Sequence, residues 1–372
     1  MNRSYWEHKT WLSNIDFAII GSGIVGLNCA LSLRKKHPKS KIVIFERGSL
    51  PSGGSTKNAG FACFGSISEI LDDLENHSEE EVFQLVKTRV EGLQLLRNTL
   101  GQKPLGYYEN GGFELFTKTD AALYETCRDN IGYINKLLYP IFDAAVFSEK
   151  EDRFGFKNIQ PKLIFSKFEG QIDTGKMMLG LMKKASEENI IILNSSEISN
   201  IDDLGNEVSL QINSSKDILV KQVFIATNGF AKQFLNEDIA PARAQVLITK
   251  PIADLHIKGT FHLDKGYYYF RNIDNRILLG GGRNLDFKAE ETTKMELTKP
   301  IQNRLEQILK TVILPEHSFE IDHRWIGIMG LGKQKKPIVK AVSKNVFCGV
   351  RLGGMGVAIG SSIGNQLSEL TN

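Results

Sequence analysis

Residues 15–46 read IDFAIIGSGIVGLNCALSLRKKHPKSKIVIFE. The apolar run at the start of this segment predicts a buried parallel strand, and three closely spaced glycines follow it directly. Apolar residues at helical spacing over 27–34 predict a helix, and the run at 41–45 predicts a second strand that ends in Glu46. The segment therefore has the order strand, glycine turn, helix, strand and acid.

The glycine turn has the spacing that a pyrophosphate requires. Gly21 permits a tight turn, Gly23 allows the backbone to approach phosphates, and Gly26 allows the helix to pack closely against the strand. The N–H groups at the helix N-terminus, around Ile24 and Val25, lack intrahelical partners and lie at the positive end of the helix dipole. The turn thus predicts a dinucleotide site.

Glu46 supports this prediction because it follows Gly26 by about 20 residues, the usual position of the acid in such motifs. A carboxylate there can accept hydrogen bonds from both ribose hydroxyls and would repel a 2′-phosphate, so NADP is disfavoured. The alternative is a glycine turn in an α/β fold that binds no ligand. The flanking strand, helix and acid favour the dinucleotide site.

The composition is that of an ordinary folded protein. The 372 residues, with 41% hydrophobic and 24% charged side chains, suggest two domains or one large body with insertions. The net charge of +3 is small and no basic stripe is visible, so we expect no nucleic-acid partner. No apolar run approaches the ~18 residues of a membrane span, and the N-terminus lacks a signal-peptide segment. We therefore expect a cytoplasmic protein.

The four cysteines form no C-x-x-C pair. Their spacing suggests neither a disulfide framework nor a zinc site. Cys29 and Cys348 lie in apolar segments, which predicts reduced residues in the core. The sequence therefore predicts no metal.

Two further segments are rich in glycine. Residues 47–61 are too long for a simple turn, and their N–H and hydroxyl groups could line a phosphate or a cofactor ring. A flexible surface loop is the alternative, but the apolar end of this segment argues against it. Residues 353–356 open a last helix at Val357 and form a second glycine-rich helix N-terminus.

Periodicity predicts the remaining elements. Apolar residues at helical spacing predict helices in four segments, which are 67–100, 121–138, 175–187 and 300–313. Short apolar runs predict strands at 105–117, 190–193, 222–226 and 346–350. Antiparallel strands of a second domain are predicted at 246–249, 266–270 and 276–280. The period of two puts Tyr267 and Tyr269 on one face, which either meets a ligand or is simply half-buried.

These segments resemble the D-amino acid oxidase-like family of FAD-dependent oxidoreductases, which includes glycine oxidase and sarcosine oxidase. The resemblance runs from end to end and rests on six segments, which are 21–26 with Glu46, 54–60, 170–173, 226–229, 245–247 and 353–359. It implies an α/β fold in which a Rossmann-like FAD-binding domain of the glutathione-reductase type carries an inserted α+β substrate domain with an antiparallel sheet. The implied FAD-binding domain comprises residues 1–85, 150–232 and 325–372, and the implied substrate domain comprises residues 86–149 and 233–324.

The resemblance also implies where FAD would lie. The pyrophosphate would lie on residues 21–26, the ribose on Glu46 beside Arg47, and the adenine against the backbone of Ile198. The other implied contacts are Ser55, Thr56, Asn58, Ala59, Gly60, Thr227, Gly353, Gly354, Met355, Gly356 and Val357. The cysteine that binds flavin covalently in sarcosine oxidases is missing after Trp325, so FAD is expected to be non-covalent.

The implied activity is oxidation of the C–N bond of an amine or amino acid, with hydride transfer to flavin N5 and hydrolysis of the resulting imine. Oxygen, a quinone or another acceptor would then take the electrons. Alternatives are an NAD-dependent dehydrogenase, a non-catalytic FAD-binding subunit of a larger oxidoreductase, and a tRNA-modifying relative, which the lack of a basic stripe disfavours. The sequence leaves the oligomeric state open.

The chain departs from the family in its substrate site. The resemblance implies an arginine shortly after the Trp-x-Gly element that clamps a substrate carboxylate, and here Met329 stands in that position. Gly354 stands where a second arginine is often found. Arg283, Arg324 or Arg351 could supply the charge, although a structural ion pair is the alternative for each. The candidates for the substrate pocket are Tyr267, Tyr269, Arg283, Arg324 and Met329.

The segment 276–282 bears on the electron acceptor. In the sarcosine oxidase branch a lysine in this segment activates oxygen, because a fixed cation stabilises developing negative charge. Leu278 aligns with that lysine, and no lysine occurs between Lys265 and Lys288. The resemblance therefore implies a dehydrogenase that prefers a quinone or dye to oxygen, unless another cation such as Arg283 replaces the lysine.

Overall fold

The computed structural model describes residues 3–214 and 217–371, which form two eight-stranded sheets and one two-stranded sheet. The main path of the first sheet runs, in spatial order, through Ile338–Ala341, Val346–Val350, Asp217–Ile225, Ile15–Ile20, Ile42–Phe45 and Ile191–Leu193. All neighbours on this path are parallel except the first pair. An antiparallel extension, Ile198–Asp203 with Val208–Ile212, joins at Asp217–Ile225.

The central strands are apolar along their length because both faces of the first sheet are covered. The helices Ile24–Lys36, Thr174–Glu187 and Gly356–Ser368 share one core with the strands, and Glu79–Leu100 packs against the last of these helices. A Cβ atom on Gly92 would lie only 2.1 Å from the carbonyl oxygen of Ala358, so glycine permits this close helix contact.

The second sheet is antiparallel apart from one pair. Its strands, in spatial order, are Ile321–Leu331, Ala240–Thr249, Arg276–Gly281, Tyr268–Ile273, Thr260–Leu263, Gly112–Leu115, Lys162–Ser166 and Phe147–Glu151. The exception is Thr260–Leu263, which runs parallel to Gly112–Leu115. Phenylalanine rings fill the core on one face of this sheet, together with the helix Lys299–Ile308 and its π-helical continuation Leu309–Ile313. A small third sheet pairs Phe61–Ala62 with Gly170–Gln171.

The remaining elements are short. The α-helices are Tyr5–Glu7, Gly54–Lys57, Ile67–Leu74, Gln102–Leu105, Ala121–Asp129 and Ile131–Phe142. A π-helical turn covers His8–Leu12, and 3₁₀ turns cover Lys118–Asp120, Asn228–Gln233 and Arg283–Leu285.

The predicted α/β fold class with a second, antiparallel sheet is confirmed, but several element boundaries differ. Residues 121–138 form two helices that meet at Asn130 instead of one. The segment 67–100 is also divided, because Ser78 caps a new helix by accepting the N–H of Glu81. In 105–117 the structure has a single strand, Gly112–Leu115, which follows a short helix. Local periodicity does not reveal these breaks because caps and turns depend on single residues.

The sheets also divide the chain differently from the predicted domains. The predicted boundaries at 150 and 325 both fall inside strands of the second sheet, Phe147–Glu151 and Ile321–Leu331. The strand Ile321–Leu331 pairs along its length with Ala240–Thr249, so it cannot be divided between two units. In addition, most of the helix Glu79–Leu100 was expected in the substrate domain, but it is shared: Leu96 packs on the first sheet's helices, whereas Val82 and Val86 pack with the helix Ile131–Phe142 and the second sheet.

Candidate functional site

A cavity of ≈ 420 Å³ lies where the carboxyl ends of the central parallel strands meet the second sheet. Ile20, Phe45 and Ala226, at or just after the ends of three parallel strands, line one side. Val246 and Tyr269 of the second sheet line the other. Open α/β sheets bind ligands at the carboxyl ends of their strands, so this is the expected place for a site.

The first glycine turn borders the cavity and is packed too tightly for side chains. Gly21 has a φ of +102°, which favours glycine. A Cβ atom on Gly26 would lie 2.0 Å from the carbonyl oxygen of Gly21, so helix and strand pack as closely as the glycine spacing predicts. A Cβ atom on Gly23 would lie 2.8 Å from the hydroxyl of Ser55. That hydroxyl accepts the N–H of Ile24 at 2.9 Å.

Glu46 is buried at the end of its strand, and its carboxylate lines the cavity. The backbone N–H and the hydroxyl of Ser22 donate to its Oε2, at 3.2 and 2.8 Å. Gly48 N–H and the Ser52 hydroxyl donate to its Oε1, at 2.9 and 3.1 Å. The carboxylate is therefore held in a fixed orientation. The guanidinium of the next residue, Arg47, lies 3.8 Å from the ring centre of Phe230.

The loop after this strand is held by its own polar groups. The amide of Asn58 donates to the carbonyl of Ser55 at 2.8 Å, and its Oδ1 accepts from Gly60 N–H and from the Thr174 hydroxyl. Ser55, Asn58, Ala59 and Gly60 line the cavity. Thr56 does not, because its hydroxyl donates to the carbonyl of Pro51 at 2.7 Å.

Arg271 supports the same loop from the second sheet, and sequence reasoning missed it. Its guanidinium is buried and donates to the carbonyls of Ala59 and Ile172. Burial lowers the pKa of Arg271 to about 10. Nothing in the local pattern distinguishes this arginine from others, because its role comes from strand pairing and loop position.

The last glycine segment completes this side of the cavity. Gly353 and Gly354 have φ values of +61° and +83°, and both line the cavity with Met355, Gly356 and Val357. Ile198 and Thr227 line it as well. The Thr227 hydroxyl is enclosed yet has no hydrogen-bond partner among the described residues, so it is available to a ligand.

The opposite side of the cavity is one face of the second sheet. Strand pairing places Glu114, His262, Tyr269, Gly280 and Val246 in register across five strands. Their neighbours along each strand point to the other face and fill the phenylalanine core. Register thus gathers polar groups that are far apart in the sequence.

The tyrosine segment meets the glycines of the neighbouring strand. A Cβ atom on Gly280 would lie 2.6 Å from the Tyr269 ring, and one on Gly281 would lie 2.0 Å from the carbonyl oxygen of Tyr267. Both tyrosines line the cavity, whereas Tyr268 is part of the core. Burial raises the pKa of Tyr269 to about 12, so its hydroxyl stays protonated at neutral pH.

Arg283 is the cation of this wall without an acid partner. Its guanidinium lies 5.4 Å from the ring centre of Tyr267 and 4.9 Å from that of Phe287. No carboxylate of residues 3–214 or 217–371 forms an ion pair with it, and burial lowers its pKa. Met329 also lines the cavity, and its sulfur would lie 3.5 Å from a Cβ atom on Gly354. The two positions expected to hold arginines are therefore adjacent.

The other two candidate arginines lie outside the cavity lining. Arg324 occupies the opposite face of its strand and donates to Gln302 and Glu306, at 2.6 and 2.7 Å. Arg351 donates to Asp238 and to the carbonyl of Lys336. Both make the structural interactions that the sequence left as an alternative.

Charged residues that sequence reasoning did not select also line the cavity. Lys265 forms an ion pair with Asp72 at 2.7 Å, and Lys335 forms one with Asp73. His262 also lines the cavity, and its Nε2 lies 3.0 Å from Oε2 of Glu169. Burial alone would lower the pKa of His262, but the charge and hydrogen bond of Glu169 outweigh it and raise the pKa to about 9. No sequence motif connects these residues, which only strand pairing brings together.

The comparisons with known proteins agree with this geometry. The sequence profile of the family described as FAD dependent oxidoreductase matches residues 16–370. The chain belongs to this family. This FAD-dependent oxidoreductase is 21% identical to the probable oxidoreductase OrdL of Haemophilus influenzae, over 97% of this chain and 83% of that protein.

Solved structures share the fold of this FAD-dependent oxidoreductase. L-proline dehydrogenase from P. horikoshii has a TM-score of 0.76 at 17% identity, covering 96% of this chain and 93% of its own. Glycine oxidase from Geobacillus kaustophilus has a TM-score of 0.74 at 17% identity, with 95% and 94% covered. Iminodiacetate oxidase from Chelativorans sp. BNC1 has a TM-score of 0.74 at 16% identity, with 95% and 94% covered.

The cofactor of this oxidoreductase is FAD, as the sequence predicts. The cavity fits a dinucleotide because its glycine turns leave no room for side chains, and the enclosed hydroxyl of Thr227 lacks a partner. In the part of the chain that the structure describes, no helix is both long and apolar enough to cross a membrane.

Proposed function

We propose that this FAD-dependent oxidoreductase oxidises the C–N bond of an amino acid, or of a related amine that carries a carboxylate. The observation that carries this proposal is Arg283, a half-buried cation on the cavity wall without an acid partner among the described residues. A charge that is partly removed from water and has no partner costs free energy, so its presence favours an anionic ligand.

The residues proposed to hold non-covalent FAD are those on the first side of the cavity. The N–H groups after Gly23 and the loop at Ser55 would meet the pyrophosphate, and Glu46 would meet the ribose. The helix that starts at Gly356 would direct its positive end toward the flavin. When bound, FAD supplies hydride acceptance at N5, which leaves an imine that hydrolyses.

The wall of the second sheet would position the substrate. The Arg283 guanidinium can bind a carboxylate through two parallel hydrogen bonds, which fixes the orientation of the neighbouring C–N bond. Tyr267 holds one side of that guanidinium. Met329 and Tyr269 supply apolar surface that excludes water from the reacting carbon. Because Met329 stands in place of the expected arginine, Arg283 would carry this role from the 3₁₀ turn that follows the strand Arg276–Gly281.

Matched pairs of substrates test this proposal. Purified protein is mixed without oxygen with an amino acid and with the amine that lacks only its carboxylate, for example alanine with ethylamine and proline with pyrrolidine. We expect loss of flavin absorbance with the carboxylate-bearing member and little with the other. If no member of a broad panel reduces the flavin, the protein is instead a non-catalytic FAD-binding subunit.

Variants of Arg283 test whether its guanidinium is the group that binds the substrate carboxylate. Arg283→Ala should lower kcat/KM for the acid by about a hundredfold, or about 2.7 kcal/mol, because two charged hydrogen bonds are lost. Arg283→Lys should retain part of the kcat/KM that the alanine variant loses. Arg324→Ala is the matched control, since that arginine faces away from the cavity, and it should stay within about fivefold of the parent. Equal losses in both alanine variants would contradict the assignment.

A further inference from the structure

Three side chains of different chemistry converge beside the cavity, and two of them line it. These are the thiol of Cys63, the carboxylate of Glu169 and the imidazole of His262. One ligand atom from each lies within 4.8 Å of the others. Their exposed fractions are 5%, 1% and 4%, so the cluster is enclosed by protein. Its members are not part of the residues assigned to FAD or to the substrate carboxylate.

Strand pairing explains the convergence. The two-stranded sheet pairs Ala62 with Gly170 in antiparallel register, so the next residue on one strand, Cys63, lies opposite the preceding residue on the other, Glu169. His262 reaches the same point from the second sheet, where Nε2 lies 3.0 Å from Oε2 of Glu169. Three separate segments of the backbone therefore fix the three ligand atoms.

The surroundings keep the carboxylate in place. The Thr260 hydroxyl donates to Oε2 of Glu169 at 3.2 Å. A Cβ atom on Gly112 would lie 2.1 Å from that same oxygen, so a glycine is needed to leave room for the carboxylate. A side chain that orients a ligand atom from outside is typical of metal sites.

The charge around the cluster is unbalanced. Glu114 lies next to His262 in the strand register, and Glu69 lines the same cavity. With Glu169, three carboxylates thus surround a single imidazole. The nearby Arg89 directs Nη1 to the carbonyl of Phe64 at 2.7 Å and not to a carboxylate. A bound cation would reduce the repulsion among these buried carboxylates.

The Cys63 thiol has few hydrogen-bonding contacts, and the cluster, although enclosed by protein, borders the cavity. The single hydrogen-bonding contact of the Cys63 sulfur among the described residues is the Met355 sulfur at 4.0 Å. Cys63 and His262 both line the cavity, so an ion could enter from it. An ion held by three protein ligands would also keep one position open toward the cavity.

We propose that Cys63, Glu169 and His262 bind a divalent transition-metal ion, for which Zn²⁺ is the best match. A thiolate, an imidazole and a carboxylate form a ligand set that Zn²⁺ accepts with tetrahedral geometry. The open position would let the ion contact an oxygen or nitrogen atom of whatever occupies this end of the cavity. The site does not depend on the proposed oxidation of C–N bonds.

Metal binding is measured on the flavin-loaded protein. A chelator first removes bound ions, the protein is dialysed against Zn²⁺, and zinc and flavin are quantified in the same sample. Co²⁺ then serves as a spectroscopic probe, because tetrahedral Co²⁺ with a thiolate ligand absorbs to the red of oxidised flavin. We expect one equivalent of Zn²⁺ per flavin and the red-shifted Co²⁺ bands.

Variants locate the ion. Cys63→Ser and His262→Gln should each weaken Zn²⁺ binding by at least tenfold and remove the Co²⁺ bands, and Thr260→Val should weaken binding by about 10–100-fold. Cys127→Ser and His256→Gln are matched controls away from the cluster and should bind as the parent does. The flavin content of each variant reports folding, and the near-isosteric Cys63→Ser keeps the test usable if His262→Gln fails to fold.

Two results would overturn the proposal. In the first, the parent retains no more zinc than Cys63→Ser, in which case the cluster is only a buried ion pair between His262 and Glu169 beside a free thiol. In the second, zinc binds but is unaffected by either substitution, which would place the ion elsewhere on the chain.

Discussion

The two sides of the cavity are built in different ways. On the side of the parallel sheet, short continuous segments supply glycines and backbone N–H groups, as in residues 21–26 and 353–356. On the side of the antiparallel sheet, the lining side chains come from separate strands, among them Val246, His262, Tyr269 and Met329. A diphosphate can be bound by backbone alone, whereas a substrate needs specific side chains, and this difference determines which half the sequence reveals.

The strongest test of this contrast fills the space next to the backbone of the glycine turn, on the parallel-sheet side of the cavity. Gly23→Val adds atoms where a Cβ already lies 2.8 Å from the Ser55 hydroxyl. We expect FAD to bind at least a hundredfold more weakly, about 2.7 kcal/mol, while the chain still folds because this residue is in extended conformation. Flavin content after dialysis and circular dichroism measure the two outcomes.

Gly132→Val is the control for this variant, since a Cβ there meets no atom within 4 Å. It should keep its flavin. Full flavin occupancy in Gly23→Val would mean that the phosphates lie elsewhere.

A second test removes a side chain that connects the two sides. Arg271 lies on the antiparallel sheet but donates to the carbonyls of Ala59, in the loop that follows Glu46, and of Ile172. Arg271→Met leaves these buried acceptors without that donor, so the free energy of unfolding should fall by about 2 kcal/mol. Urea denaturation measures this loss, and Arg128→Met, at an exposed ion pair, should change stability by less than about 0.5 kcal/mol. Equal stability of Arg271→Met and Arg128→Met would show that the hydrogen bonds from Arg271 do not stabilise the loop.

A third test uses the titratable groups found on the substrate side. Burial, with a smaller contribution from the charge of Glu69, raises the pKa of Glu114 to about 7. The hydrogen bonds from Ser68 and the charge of His262 oppose this rise. Between the ordinary value of 4.5 and about 7 the folded state binds more protons than the unfolded state. The free energy of unfolding should therefore decrease as pH rises through this window, by about 1–2 kcal/mol from this group.

Glu114→Gln should flatten that dependence, measured by urea denaturation at several pH values with a chelator present. Glu91→Gln, at an exposed position of the helix Glu79–Leu100, should retain the parent's slope. An unchanged slope in Glu114→Gln would assign the pH dependence to other groups.

The smallest expected effect concerns oxygen. The sequence resemblance aligns Leu278 with the lysine of the sarcosine oxidase branch, and Leu278 packs with Ala59 and Val246 in an apolar cluster. Without a cation there, reduced flavin should react with oxygen no faster than free flavin, and a quinone or dye should be the better acceptor. Stopped-flow reoxidation measures both rates. Fast reoxidation with stoichiometric peroxide would instead indicate an oxidase in which another cation, such as Arg283, acts.

The same contrast explains which sequence predictions succeeded. The strands Ile15–Ile20 and Val346–Val350 have the predicted bounds, because fully buried parallel strands are continuous apolar runs. The division at Ser78 was missed because a capping box starts a new helix within a continuing apolar period. The break at Asn130 was also missed; there the Asn130 amide donates back to the carbonyl of Thr126 at the end of the preceding helix. The domain boundaries near 150 and 325 were placed inside strands because edge strands with polar residues have weak patterns.

For the candidate site, the residues that the sequence assigns to FAD line the cavity except Gly26, which packs against the carbonyl of Gly21, and Thr56, whose hydroxyl donates to Pro51. Their contacts with FAD stay a prediction. On the second side it could not choose among arginines. Register places Arg324 on the face away from the cavity, while the turn after Gly281 brings Arg283 into it. Composition and spacing contain no information about which face a distant strand presents.

The sequence by itself determined the fold class, the family and the glycine-rich side of the cavity, because a few contiguous glycines specify a local backbone shape. Tertiary structure alone decided that Arg283 has no acid partner among the described residues, that Arg271 supports the loop at Ala59, and that Cys63, Glu169 and His262 meet at one point. Each of these depends on the pairing of strands that lie many residues apart. Such pairing is fixed by the packing of the whole molecule and leaves no mark in the spacing of residues along the chain.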